Sequence, residues 1–295
     1  MSEEIYNQME DYSDDEYIVR RKRAPVPMMQ VSASELAKTA AEMLEEMRAK
    51  KPRVACFAQS SVAPFVANVI LAAGAEHATA EDSGEATQLA AEVDVLFACI
   101  GAISKPQAEA VRAAVARANA SQKPWSLDPD DSGTLSLRGY VARELMRRYP
   151  SYIRGNPSEI LALSGLEETG ETEAATAARR LAEVTRAAVT MTGEEDRVCG
   201  ENAPVVLIKN GTPLFGRVAG IGAAQGALGA ALLSVFGRAR RFEAAIANSV
   251  IFSLAGEMAA ARAKSPGSFS IAFLDALSEL KPGDVVKRAK IEVLE

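Results

Sequence analysis

From Val31 onward, apolar residues recur with two periods that alternate along the chain. Leu36, Ala40, Met43, Leu44 and Met47 fall on one helical stripe, with Ser32 or Ser34 placed to cap its start. Arg53 to Ala58 reads as a short strand, and Val62 to Ala73 as a helix stopped by Gly74. Val93 to Ile100 is a continuous apolar run ending in Gly101, the pattern of a strand buried on both faces. Pro106 to Ala120 predicts a helix with proline in its first turn and Arg112 and Arg117 on a polar face. Trp125 to Leu127 and Tyr152 to Arg154 read as strands, the second followed by Gly155-Asn156 and a helix from near Pro157. Glu171 to Arg186 is expected to be helical and Ala187 to Met191 a buried strand. Arg197 to Cys199 and Val205 to Lys209 suggest a hairpin, with Asn210-Gly211 as a turn after it. Three helices are then expected, Gly222 to Phe236, Phe242 to Ala263 and Phe269 to Leu280, before Val285 to Leu294 alternates as a last strand. Strands alternating with helices over short connections predict a three-layer α/β/α fold, its sheet mostly parallel and covered on both faces. No internal repeat interrupts this pattern, so one domain is expected over residues 29–295.

Residues 1–28 stand apart from that pattern. Met1 to Tyr17 carries seven acidic residues and no basic one, then Arg20-Arg21-Lys22-Arg23 reverses the sign, and Pro25 and Pro27 follow. Blocks of this kind bury too little apolar surface to offset ordering entropy, so a disordered tail is expected, with Tyr6, Tyr12 and Tyr17 able to dock on a protein partner. The whole chain has 295 residues and a net charge of −6, which argues against a generic nucleic-acid binder. Cys56, Cys99 and Cys199 are too few and too scattered for a disulfide framework, which fits a reducing, cytoplasmic setting. A single histidine, His77, excludes a zinc site built on two or three histidines. Neither a signal-peptide pattern nor an uninterrupted apolar run near the roughly 20 residues of a membrane span is evident.

Ligands of such a sheet sit beyond the carboxyl ends of the strands, and three strand ends carry the candidate chemistry. Asp128-Pro129-Asp130-Asp131-Ser132-Gly133 gathers three carboxylates within four residues, a hard oxygen set suited to Mg²⁺ or an acidic loop in water. In Arg154-Gly155-Asn156-Pro157-Ser158-Glu159, the guanidinium leaves a strand where it can grip phosphate oxygens bidentately. Glu159 there either caps the first helical turn or faces the strand end and holds Mg²⁺ through a water. Gly220-Ile221-Gly222-Ala223 opens a helix rich in small residues, which either let its unpaired N–H groups form an anion hole or merely permit close helix packing. No Gly-Lys-Ser/Thr follows, so it is not a Walker A loop.

Taken together, these segments resemble the hydroxyethylthiazole kinase family of the ribokinase-like superfamily. The matching runs are Ala67 to Ala75, Ile100-Gly101, Ala108 to Asn119, Leu127 to Pro129, Ile153 to Ile160, Thr192 to Asp196, Asn210-Gly211 with Pro213-Leu214, Val218 to Gly222, and Ala255 to Asp275. They keep the family's order and cover nearly everything after residue 52. The resemblance implies ATP- and Mg²⁺-dependent phosphoryl transfer to a primary alcohol, in the family 4-methyl-5-(2-hydroxyethyl)thiazole, by a homotrimer with active sites at subunit contacts. It places Arg154 and Thr192 on the ATP phosphates and Asp128 and Glu159 near the metal. Gly220 and Thr79 fall beside the acceptor.

The chain also departs from the family's pattern. Where the family reads Gly-Thr-Gly-Cys at the anion hole, this sequence reads Gly220-Ile221-Gly222-Ala223, so the cysteine that takes the acceptor's proton is alanine. Around the thiazole, Ala58-Gln59, Pro64, Thr79, Cys99 and Ala102 replace the family's residues. Two readings follow: a kinase weakened by the missing base, or a non-catalytic oligomeric binding protein that still takes nucleotide. His77, after the Gly74-Ala75 turn, either lines the altered pocket or sits on an exposed loop, the loop being expected. Cys99 at its strand end either contacts ligand or is a small buried residue, the latter expected, and Trp125 is expected in the core.

Overall fold

The computed structural model describes residues 28–130, 136–165 and 171–294. Residues 1–27, the tail expected to be disordered, and residues 131–135, with Asp131 of the acidic turn, lie outside the described residues. The first helix, α1 (Ala33–Lys50), starts where Ser32 Oγ accepts from Glu35 N–H at 3.3 Å and the Glu35 carboxylate accepts from Ser32 N–H at 3.1 Å. This reciprocal box satisfies two of the helix's orphan donors. Next come β1 (Arg53–Phe57), α2 (Ala63–Ala73), β2 (Glu76–Ala78), α3 (Ser83–Glu92), β3 (Val95–Cys99) and α4 (Lys105–Ala120). The middle of the chain forms β4 (Trp125–Asp128), α5 (Ser136–Met146), β5 (Tyr152–Gly155), α6 (Pro157–Ser164), α7 (Glu171–Thr185) and β6 (Ala188–Met191). It closes with β7 (Asp196–Cys199), β8 (Val205–Ile208), α8 (Ile221–Phe236), α9 (Arg241–Arg262), α10 (Pro266–Glu279), α11 (Pro282–Arg288) and β9 (Ile291–Leu294).

All nine strands join one sheet in the order β2-β1-β3-β4-β5-β6-β7-β8-β9. Pairing is parallel from β2 to β6 and antiparallel from β6 to β9. Two apolar cores flank it. α1, α2, α8, α9, α10 and α11 pack on one face, and α3 to α7 on the other. The expected three layers and mostly parallel sheet are therefore present. Trp125 lies fully buried in the second core, its indole N–H donating to Asn119 Oδ1 at 3.2 Å. Among the described residues one helical segment, Arg238–Arg262, is long and apolar enough to cross a membrane by length and composition, yet 78% of its apolar window is buried inside the protein.

The expected strand from Val285 is corrected. Residues 282–288 are helical, because Pro282 supplies a preset first turn and the Asp284 carboxylate accepts from Lys281 N–H at 3.2 Å. Val285 enters the core while Val286 is exposed, and only Ile291–Leu294 pairs with β8. The helix α3 escapes the apolar pattern because its buried stripe is only Ala86 and Ala90. Its signal is the cap Asp82, which accepts from Gly84 and Glu85 N–H at 2.8 and 3.0 Å.

Behind α9, Phe215, Phe252, Phe269 and Phe273 form one aromatic cluster, with centroids of Phe252 and Phe273 4.8 Å apart. Phe273→Ala removes a fully buried ring and is expected to lower the unfolding free energy by about 3–5 kcal/mol. Urea denaturation followed by circular dichroism measures this.

Candidate active site

Two cavities open at the carboxyl ends of the strands. The smaller, of about 290 Å³, lies where β1 and β3 diverge. The helix after β1 (α2) covers one face of the sheet and the helix after β3 (α4) covers the other, so this is a topological switch point. Phe57, Ala58, Pro64, Ala67, Ile103 and Val111 give it apolar walls, and Gln59, His77, Thr79 and Cys99 add polar atoms. The larger cleft, of about 830 Å³, is bounded by Arg154, Thr192, the Asn210–Pro213 turn and the start of α8 at Gly220, Ile221 and Gly222.

Arg154 organises the ground between them. It leaves β5, whose neighbours β4 and β6 run parallel to it, so Asp128 and Thr192 end beside it. Its Nη1 pairs with Asp128 Oδ2 at 3.3 Å, and its Nη2 donates to Thr192 Oγ1 at 2.8 Å. The third nitrogen, Nε, is buried without a hydrogen-bond partner among the described residues. Above it runs α8. A Cβ at Gly222 would stand 2.5 Å from Arg154 Nη1, one at Gly226 2.7 Å from the Phe97 ring, and one at Gly229 within the Tyr152 ring's contact radius. Glycines at i, i+4 and i+7 share one helical face, and here they let the helix lie directly on the ion pair. The helix begins at Gly220, in left-handed conformation at φ +83°, with no side chain capping its first amides. Those amides are unpaired donors at the positive end of the helix.

The electrostatics follow from burial. Desolvation pushes the Asp128 carboxyl up to about 7 against the pull of Arg154, with Glu159 and Asp130 adding repulsion. For Arg154 burial acts downward, but Asp128, Glu159 and Asp196 outweigh it and the guanidinium stays charged. Asp196, at the start of β7, is also raised by burial and is held by Gln225 Nε2, which donates to its Oδ2 at 2.8 Å. Glu159 occupies the capping position of α6: its Oε2 accepts from Asn156 N–H at 2.7 Å, and Asn156 Oδ1 accepts from Glu159 N–H at 3.0 Å. Among the described residues, no group of three or more His, Cys, Asp or Glu is arranged to hold a metal.

Several of these contacts go beyond the sequence reading. Asn210 and Gly211 form a cleft wall rather than a simple turn: Asn210 Nδ2 and Gly211 N–H donate to Glu257 Oε1 at 3.1 and 3.3 Å. The same oxygen takes Lys290 Nζ at 3.1 Å, so α9 ties the wall to the chain before β9. Gln225 and Asp196 carried no role in the sequence, although the small-residue spacing of α8 was a usable signal for what lies beneath it. The expectation for His77 is corrected. It sits within β2 opposite Val54, half-buried and lining the smaller cavity, because parallel pairing with β1 draws the segment after Gly74-Ala75 into the sheet. Cys99 is buried as expected, and desolvation with Asp128 and Asp130 pushes its thiol well above the ordinary range.

Comparison with known proteins gives this geometry its lineage. Residues 44–283 match the model of the hydroxyethylthiazole kinase family. The chain belongs to that family. It is 37% identical over 269 residues to a hydroxyethylthiazole kinase of Akkermansia muciniphila, covering 88% of this chain and 98% of the relative. A hydroxyethylthiazole kinase structure from Pyrococcus horikoshii superposes with a TM-score of 0.82 at 31% identity, covering 88% of this chain and all of that one. A ribokinase-like superfamily protein from Enterococcus faecalis shares the fold, with a TM-score of 0.59 at 12% identity, 88% of this chain and 99% of its own. The family resemblance read from the scattered motifs is thus the lineage, and the fold is ribokinase-like.

Two outcomes are expected. Folded Asp128 keeps its proton up to about pH 7, whereas an unfolded aspartate releases it near about 3.9. The unfolding free energy of the metal-free protein should therefore fall, relative to Asp128→Asn, as pH rises between those values, by at most ~1.4 kcal/mol per pH unit. Parallel urea titrations of both proteins measure the difference. Gly222→Ala drives a methyl into Arg154 and should cost about 1–3 kcal/mol in the same assay.

Proposed function

We propose that the chain transfers the γ-phosphoryl group of ATP to the hydroxyl of 4-methyl-5-(2-hydroxyethyl)thiazole or a related small primary alcohol. The observation that carries this reading is the Arg154 guanidinium, with one unpaired buried nitrogen, lying directly beneath the uncapped start of α8. Two positive groups placed side by side at the edge of the larger cleft favour an anion that touches both, and phosphate oxygens supply it. The larger cleft then takes the nucleotide and the smaller cavity the alcohol. In this reading Arg154 and Thr192 orient the phosphates, and the amides of Ile221, Gly222 and Ala223 receive charge that grows on the transferred group.

The acidic residues fit a magnesium ion held mainly by phosphate and water. Asp128 Oδ2 already faces Arg154 and Glu159 Oε2 already caps α6, so one or two carboxylates through water is what the chain offers. Bound there, the ion neutralises phosphate charge. The homotrimer, a cytoplasmic location and a protein-docking role for residues 1–28 belong to the same proposal.

As the alcohol oxygen bonds to phosphorus and ADP departs, the hydroxyl proton must leave. Ala223, at the first turn of α8, has no group to receive it. The three cysteines offer no substitute, since burial raises the thiol of each. This residue favours the second reading, a family member that binds nucleotide and alcohol without turnover. An ADP-release assay with ATP, Mg²⁺ and the thiazole alcohol separates the two. Slow turnover that falls about 10²–10³-fold in Arg154→Gln and rises about 10²–10⁴-fold in Ala223→Cys or Ala223→Asp supports the kinase. ADP release no faster than from Gly220→Trp, with no gain at position 223, supports the binding protein.

A further inference from the structure

The smaller cavity has a selectivity written in its own lining. Its volume of about 290 Å³ is at the low end for small-molecule sites, so it admits one small ring with a short arm. Most of its wall is apolar. Among the described residues of the chain, the one charged side chain lining it is Glu81, exposed at the rim, and no lysine or arginine lines it. An anionic acceptor would therefore be desolvated without a counter-charge. Besides the exposed Ser60, three hydrogen-bonding side chains face this space without a hydrogen-bond partner among the described residues: His77, Gln59 and Thr79. Of these, Thr79 is exposed, whereas His77 and Gln59 are half-buried. Burial lowers the pKa of the imidazole, so at neutral pH one ring nitrogen donates and the other accepts. Gln59 likewise offers a donor and an acceptor.

We propose that His77, assisted by Gln59, selects the acceptor, and that this cavity prefers an uncharged heteroaromatic alcohol presenting a hydrogen-bond donor beside an acceptor on one ring edge. This rests on the smaller cavity being the acceptor site. A ring that offers only an acceptor leaves part of the imidazole and amide unpaired, and partly buried polar groups without partners cost binding free energy. An added ring-edge donor removes that mismatch and displaces the water that would otherwise occupy it.

A matched pair of probes tests this on the intact protein, by calorimetry without nucleotide: 4-methyl-5-(2-hydroxyethyl)thiazole and its 2-amino derivative, which adds one donor beside the ring nitrogen. The wild-type protein is expected to bind the amino compound about tenfold more tightly. His77→Ala and His77→Leu should bring the two compounds to parity, His77→Gln should keep a preference, and ATP affinity should not change in any variant. Equal affinities in the wild type, a preference that survives His77→Ala and His77→Leu, or binding of neither probe would overturn the proposal. If His77 governs binding as expected but no ADP is released when ATP and Mg²⁺ are added, the kinase reading fails and the acceptor selectivity stands.

Discussion

A buried guanidinium is the constraint around which this structure is arranged. Taking Arg154 out of water costs several kcal/mol unless its donors and charge are met, and the chain meets most of that demand from three adjacent strands and one helix. Asp128 comes from β4, Thr192 from the end of β6, and α8 is pressed close by its glycines. Each of those features would be costly or pointless without the others. Asp128 alone would be a buried carboxyl, and its rise to about 7 shows that even Arg154 only partly offsets desolvation. Glycines in the middle of a helix weaken it by about 1 kcal/mol each relative to alanine. Here they are retained because any side chain would displace the ion pair or the aromatic rings beside it.

The same arrangement divides the carboxyl edge of the sheet into two differently built spaces. On one side the helix amides, Arg154 and Thr192 face a polar cleft whose wall is held by Glu257 through Asn210 and Gly211. On the other, α2 and α4 diverge from opposite faces and leave a small apolar cavity with unpaired polar edges. Phosphoryl transfer, the reaction proposed for this site, depends on charge placement more than on a reactive side chain. Alanine at position 223 leaves the uncapped backbone donors of the first turn of α8 in place.

How far the sequence reaches depends on whether a feature is local. A serine cap before Ala33, the hairpin of β7 and β8, and the buried strand Val95–Cys99 each follow from neighbouring residues, and all were legible. Glu159 was legible as a pair of options, a cap or a metal neighbour, and its bond to Asn156 N–H is the local one. Where the local signal was thin, the reading failed. The alanine stripe of α3 carries little hydrophobic contrast, and the Val285-Val286 pair resembles the edge of a strand until Pro282 and Asp284 are recognised as a helix start.

The sequence by itself determined the fold class and the family, because period, caps and glycine-rich strand ends are written in short segments. Only the tertiary structure decided that Arg154 is sandwiched between Asp128 and the first turn of α8, that Glu257 holds Asn210, and that His77 lines a cavity instead of a surface loop. The first two of these contacts join residues 26 to 68 positions apart, from Asp128 with Arg154 to Arg154 with Gly222. Their formation depends on strand order and helix placement, which no single segment of the chain encodes.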